Sequence, residues 1–448
     1  MRILHYFLGF PPYRSGGLTK YAFDLMKAQV SNGHIIMALW PGQMGVFNHK
    51  ISIKRKKDIS GIENYELINP LPVSLDEGIN EFDPFMKRGD YAIYESFFRA
   101  NHVEVIHIHT LMGIHKEFVE AAKNLGIRTV FTTHDYFGIC PKVTLYRYGN
   151  ACEDDDKCRN CIQCNCAALS TNKIIIMQSS LYRFFKNSAI VNQLRKKHRD
   201  YFFSNEVIPE MSITNNEILK MADQYQGLRA YYVGILEMVD LIHFNSSVTM
   251  EVYKKYLTPQ NSVVMTITHQ NISDNRQVNE WIPGDKLRIL YLAPAKPFKG
   301  FHVLKSALDE LWKCGYHNFE LKLFSPVQNP SPYMEIHEQG FQYYQLKSIM
   351  ADADVLVAPS IWHETFGYTV LEAISYGVPV IVSDHVGAKD VIGGGGIVVE
   401  AGNTEQLKDA IKSFDKNKQV FLRQQILTSV VIKRWNEYIN DTYNLYIR

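Results

Sequence analysis

Two carboxylates, Glu364 and Glu372, have seven residues between them in the stretch 351–387, ADADVLVAPSIWHETFGYTVLEAISYGVPVIVSDHVG. A carboxylate accepts hydrogen bonds from sugar hydroxyls but is a poor partner for phosphate, whereas unpaired backbone N–H groups where a helix begins attract anions. Phe366 and Gly367 stand at such a start, so the loop combines hydroxyl acceptors with a diphosphate cradle. That pairing suits a nucleotide sugar. Lys299, and Lys296 before it, add ammonium groups beside a second helix start, where a leaving phosphate gains charge. His134 and six crowded cysteines complete the set of residues able to do chemistry.

The elements that must hold these groups follow from hydrophobic pattern. Asp354 to Ala358 and Val378 to Val382 are short apolar runs, as expected of buried parallel strands. Thr369 to Tyr376 between them has helical spacing, with Gly377 placed to end it. In an open parallel sheet ligands bind where strands end and helices begin, which puts Ser360 to Gly367 in a ligand loop. The N-terminus repeats the unit: strand Ile3 to Phe7, loop PPYRSGG, helix Leu18 to Val30. Gly16 and Gly17 there can let backbone approach a ligand. Strands are expected over Val103 to Thr110 and over Ile127 to Thr132, the latter ending in Thr133-His134-Asp135, which puts His134 at the cleft end of its sheet. Asp240 to Asn245 follows as the last strand of this unit, and Val263 to Thr268 is the approach to a linker. After a polar hinge, Gln270 to Asp285, Leu287 to Leu292 opens a second α/β unit with helix Phe301 to Trp312.

The string PSIWHETFGYTVLEAISYGVPVIVSD, with its two glutamates and the Gly-x-Pro-Val turn at Gly377 to Val380, resembles the signature of the large retaining glycosyltransferase family 4. The resemblance implies an α/β GT-B fold: two Rossmann-like domains facing a central cleft, with a C-terminal helix crossing back to the N-terminal domain. It implies domains at 1–275 and 285–430 and a returning helix at 431–448. It also implies sugar transfer from a nucleoside-diphosphate sugar with retention and without a catalytic metal or other cofactor. By the same resemblance His134, Glu364 and Lys299 are catalytic, and Gly16, Gly17, Lys296, Lys299, Phe366, Gly367 and Glu372 bind the donor. Lys299-Gly300 matches the family's lysine–glycine pair. Family members commonly carry an arginine earlier in that loop, where this chain has Pro294, leaving Lys296 as a point charge in its place. No general base is named, because transferases of this kind are described as using the departing phosphate to take the acceptor proton.

Of seven cysteines, six lie between Cys140 and Cys166, a crowding that suits a tetrahedral thiolate site for structural zinc and leaves open which four bind. Family resemblance, through HDYFGICP, favours Cys140, Cys152, Cys158 and Cys161 in an insertion at 140–166, with Cys164 and Cys166 as alternatives; free thiols and an iron–sulfur cluster are the competing readings.

With 448 residues, 46% hydrophobic and 21% charged, the chain exceeds one ordinary core. Its net charge of +2 argues against a nucleic-acid partner. No apolar run reaches transmembrane length, and MRILHYFLGF reads as a first strand, so the expected location is the cytoplasm. Residues 179–203 are basic and aromatic, a pattern that suits peripheral docking on the inner membrane face and hence a glycan or lipid-linked acceptor. Two other readings of the donor half are a sugar-nucleotide epimerase or hydrolase, and a non-catalytic, zinc-stapled scaffold.

Overall fold

A computed structural model describes residues 1–11, 14, 16–45, 47–74, 77–185, 188, 191, 193, 214–276 and 286–447. Its strands are β1 (Arg2–Tyr6), β2 (Ile35–Pro41), β3 (Ser52–Arg55), β4 (Glu63–Ile68), β5 (Val105–Ile108), β6 (Arg128–Thr132), β7 (Tyr146–Arg147), β8 (Asn150–Ala151), β9 (Leu241–Phe244) and β10 (Ser262–Val264), then β11 (Leu287–Tyr291), β12 (Phe319–Leu323), β13 (Met334–Ile336), β14 (Val355–Ala358), β15 (Val380–Ser383) and β16 (Gly396–Val399).

Two large sheets organise all but β7 and β8, which pair with each other as a short antiparallel ribbon. The first runs β10-β9-β6-β5-β1-β2-β4-β3 and is parallel except for β3, which lies antiparallel on β4 at the edge. The second runs β13-β12-β11-β14-β15-β16, all parallel. Helices on both faces bury the strands, which is why β14 reads as an unbroken apolar run: Val355, Leu356 and Val357 are each at most 1% exposed. In the second sheet strand order reverses between β11 and β14, and in the first between β1 and β5. These switch points leave crevices at the strands' carboxyl ends.

The helix Trp435–Ile447 returns to the N-terminal half. Its Tyr438 hydroxyl lies 2.5 Å from that of Tyr21, and Gln29 Nε2 donates to Tyr446 Oη at 3.0 Å. The two halves also meet directly. Ser246 Oγ donates to the Thr365 carbonyl at 2.7 Å, and the Ser247 N–H and hydroxyl both donate to Asp390 at 2.6 Å.

Some elements differ from the pattern-based reading. Val263 to Thr268, read as the approach to a linker, opens in a short edge strand, Ser262–Val264, that pairs with β9 alone. Residues 51–98 lack a clear period yet hold β3, β4 and the helix Tyr91–Ala100, whose Asp90 cap accepts from the Ala92 N–H. A long helix, Asn215–Leu236, starts at a reciprocal Thr214–Glu217 capping box. In the basic stretch 179–203, Ser180–Phe185 is helical; residues 186, 187, 189, 190, 192 and 194–203 lie outside the described residues.

Candidate active site

The switch point of the second sheet carries a cavity of about 150 Å³, walled by backbone after β11 (Leu292 to Pro294), by β14 and by Lys299, Ser360, Glu364, Tyr368 and Thr369. Lys299 Nζ meets Glu364 Oε1 at 2.6 Å, and the Ser360 hydroxyl donates to Glu364 Oε2 at 2.7 Å. The ammonium also lies 5.0 Å from the Trp362 ring centre. Lysine and glutamate are thus a single preorganised unit, each mostly buried.

Local chain geometry explains the glycine after Lys299. Gly300 has φ +73°, and a Cβ there would lie 1.8 Å from the Pro359 carbonyl oxygen. Only glycine lets the short turn Pro297–Lys299 run into the helix Phe301–Lys313 against that loop. Gly367, with φ +101°, caps the helix Tyr368–Ser375, while the Phe366 carbonyl is held by the Ala388 N–H at 2.6 Å. Across the cleft, Gly16 has φ +120°, and a Cβ on Gly17 would sit 3.7 Å from the Tyr368 ring at the start of the helix Tyr368–Ser375. Lys296 Nζ is 5.5 Å from the Phe298 ring centre. Glu372 is buried on the same helix as Tyr368, but it does not line the cavity; it faces His269 Nε2 at 3.3 Å. His269 comes from the approach to the hinge, and nothing in the local sequence pattern marks it.

His134 touches the loop 360–367 through its carbonyl, which accepts from Thr365 Oγ1 at 3.4 Å. Its ring lies 4.6 Å from that of Tyr21. Behind it runs a chain of buried imidazoles. Burial holds His5 and His243 down at about 4, and burial reinforced by the charge of His243 holds His134 at about 3. His107 and His109 are held well below the usual range, again chiefly by burial. All five are therefore neutral at physiological pH, and each carries one ring proton.

One backbone carbonyl then orders every proton. Met265 O can only accept, so His243 donates to it through Nε2 at 2.7 Å and leaves Nδ1 to accept from Thr132 Oγ1 at 2.9 Å. Thr132 Oγ1 accepts from His107 Nε2 at 2.7 Å, and His107 Nδ1 accepts from the Tyr446 hydroxyl at 2.8 Å. Tyr446 accepts from Gln29 Nε2, so Gln29 Oε1 accepts from His5 Nε2 at 2.7 Å. His5 Nδ1 accepts from His109 Nε2 at 2.9 Å, and His109 Nδ1 accepts from His134 Nε2 at 3.4 Å. The last ring is left with a bare Nδ1. His134 can accept a hydrogen bond from a hydroxyl through that atom, and it cannot donate one to a phosphate. The HDY motif located His134; His5, Gln29, His107, His109, His243 and Tyr446 reach it only through the fold, although the alternating histidines of β5 are visible in sequence.

The cysteines divide. Cys158 and Cys161 join Asp155 in a group whose ligand atoms lie within 4.8 Å of one another. Cys140, Cys152, Cys161 and Cys164 line an adjoining cavity of about 20 Å³, and Cys166 is exposed. Burial raises the Cys140 thiol, and raises Cys152 to about 12 and Cys164 to about 11. Thiolates of this kind are soft donors of the sort that hold a structural zinc; the side chains brought closest to one another are Asp155, Cys158 and Cys161, while Cys140, Cys152 and Cys164 line the hollow beside them.

Residues 273–426 match the family model of the glycosyl transferases group 1. Over 89 residues the chain is 33% identical to the phosphatidyl-myo-inositol mannosyltransferase of Mycobacterium leprae (strain TN); the match takes in 19% of this chain and 24% of that protein, so it spans about a quarter of the relative's length. Among solved structures, an α,α-trehalose-phosphate synthase (UDP-forming) from Burkholderia xenovorans in complex with glucose-6-phosphate superposes with a TM-score of 0.56 at 10% identity, over 99% of this chain and 100% of that one. Anabaena HepE in complex with UDP and glucose gives a TM-score of 0.51 at 13% identity, over 99% and 98%. Likeness at that level is likeness of fold.

Proposed function

We infer, from the match of residues 273–426 to the glycosyl transferases group 1 and from two sheets arranged as in the GT-B fold, that the chain moves a sugar from a nucleoside-diphosphate sugar to a glycan or lipid-linked acceptor with retention of configuration. The observation that carries this reading is the Lys299–Glu364 pair, 2.6 Å apart, in a cavity at the switch point of the second sheet.

In this reading the diphosphate lies at the helix start by Phe366 and Gly367. Lys299, with Lys296, stabilises the charge that grows on it as the glycosidic bond breaks. Glu364 accepts from sugar hydroxyls, and His134 accepts a further hydroxyl through its bare Nδ1. Glu372, steadied by His269, receives the ribose. Gly16 and Gly17 keep the opposite wall close. The departing phosphate takes the acceptor proton, and contacts between the two halves exclude water that would otherwise hydrolyse the donor. Cys140, Cys152 and Cys161, with Cys158 or Cys164, hold a structural zinc that supplies folding energy and no chemistry.

The acceptor reading draws on the helix Ser180–Phe185, where Leu181 is 69% and Phe184 81% exposed beside the basic stretch that follows. No helix among the described residues is long and apolar enough to cross a membrane. Such a surface suits docking at the cytoplasmic face of an anionic bilayer.

Turnover of UDP-, GDP- and ADP-sugars with and without a membrane extract, comparing wild type with Glu364→Ala, tests the reading. Nucleotide release that requires the extract and falls at least about 100-fold in the variant is expected. Release without any acceptor would favour a hydrolase or epimerase, and donor binding without turnover a scaffold.

A further inference from the structure

Outside the donor cavity, three side chains from both halves converge on one point. Glu153 lies on the cysteine-rich loop, His363 immediately precedes Glu364, and His385 follows β15. Glu153 Oε1 is 3.0 Å from His363 Nε2 and 3.9 Å from His385 Nε2, and the two imidazoles stack with centres 4.0 Å apart. The ligand atoms of all three lie within 4.8 Å of one another.

The partners around this point resemble the support that metal ligands need. His385 Nδ1 donates to the Ile361 carbonyl at 2.6 Å, so a neutral His385 carries its proton there and keeps Nε2 bare toward Glu153. Lys255 Nζ donates to the other carboxylate oxygen, Glu153 Oε2, at 2.6 Å, which orients the carboxylate without entering the triangle. His363 is 7% exposed, and its Nδ1 is buried with no hydrogen-bond partner. The His385 Nε2 lone pair and the Glu153 Oε1 lone pairs therefore face each other with a single shared proton, that of His363 Nε2, in their neighbourhood. Two electron-pair donors opposed in a half-buried pocket repel, and a cation between them removes the repulsion.

We propose that Glu153, His363 and His385 bind a divalent cation of the zinc class, which ties the cysteine-rich loop to the loop carrying Glu364. Two imidazoles and one carboxylate are a borderline donor set, which favours zinc, cobalt or nickel over magnesium or calcium. Three protein ligands leave a fourth position for water. Binding through Nε2 requires the single His363 proton to move to Nδ1 by exchange with solvent, so a neutral imidazole ligates the ion and no net proton is released. The site is separate from the thiol cluster and does not depend on the sugar-transfer reading.

The full chain, stripped with a chelator, is titrated with Co²⁺ and then Zn²⁺, and bound metal is counted after dialysis. The visible bands of cobalt report all sites, and the near-ultraviolet thiolate charge-transfer band reports only the cysteines. His385→Ala and Glu153→Gln should each lose one equivalent, or at least about 100-fold in affinity, with the thiolate band unchanged. Lys255→Met, which keeps all three ligands, should retain the equivalent. Glu153→Gln replaces a half-exposed side chain and gives a readout even if His385→Ala fails to fold. Equal stoichiometry and affinity in wild type and both variants overturns the proposal, since the cluster then holds only a proton. Loss that removes the thiolate band in step assigns the metal to the cysteines alone and overturns it too.

Discussion

Lowering the pH from about 6.5 to about 5 should remove most of the stability of the N-terminal half, because five buried histidines must stay neutral in the fold. His5 and His243 are held at about 4 and His134 at about 3, with His107 and His109 well below the usual range. Unfolded, each returns to its ordinary value near 6.5. The folded values lie below the unfolded ones, so between about 4 and 6.5 the unfolded chain binds more protons. Stability therefore rises with pH across that window and is lost as pH falls through it. Near pH 5 each histidine contributes close to one proton, about 1.4 kcal/mol per pH unit, and the five together roughly 6. Asp135 acts in the opposite sense. Burial raises its carboxyl to about 6, so near pH 5 the folded chain holds a proton that the unfolded chain has released, which subtracts roughly 1 kcal/mol per unit. The slope from these six groups, roughly 5 kcal/mol per pH unit, rivals the whole stability of a typical domain, about 5–15 kcal/mol, and buried His115, held at about 4, steepens it further. Urea unfolding followed by tryptophan fluorescence at steps between about pH 7.5 and 5 measures it, and His243→Gln should flatten it by about 1.4 kcal/mol per unit. A slope under about 1.5 kcal/mol per unit between pH 6 and 5 would mean that the rings take protons while folded. The ordered chain from Met265 to His134 would then be wrong.

Three further outcomes are expected. Gly300→Ala forces a Cβ against the Pro359 carbonyl at a left-handed backbone position, so it should cost about 3 kcal/mol in thermal or urea unfolding and abolish donor binding; a well-folded, donor-binding variant would contradict the geometry. Gln29→Leu removes both the acceptor for His5 and the donor to Tyr446, and long-range ¹⁵N–¹H spectra should show His134 changing from a single Nε2–H tautomer to a mixture, at a stability cost of about 2 kcal/mol. A wild-type His134 protonated at Nδ1 would refute the assignment. Asp390→Ala frees both Ser247 contacts between the halves and should weaken donor binding about tenfold by isothermal titration with little change in unfolding; unchanged affinity would show that those contacts do not hold the closed arrangement.

Local pattern was enough for the strand–loop–helix units. Fully buried strands such as β14 and β15 must be continuous apolar runs, and the glycines at 300, 367 and 377 sit where the chain takes positive φ. Because ligand loops in a parallel sheet follow strand ends, the positions of Lys299, Glu364, Phe366 and Gly367 were readable from the chain alone. So was His134, as the residue two beyond the end of β6. Residues 51–98 gave no such period: β3 is an edge strand, half its side chains are exposed, and it carries no continuous apolar signature.

What the sequence could not decide is who meets whom across long separations. Glu372 lies one helix from Glu364, yet its partner is His269, more than a hundred residues earlier. The protonation of His134 is ordered by a carbonyl at Met265 and a hydroxyl at Tyr446, through side chains from four strands and two helices. Glu153, His363 and His385 become neighbours only because the two halves close on each other. The physical reason is the same in each case. Periodicity records which face of an element is buried, whereas hydrogen-bond direction, charge pairing and ligand convergence depend on distances that exist only after the sheets have packed.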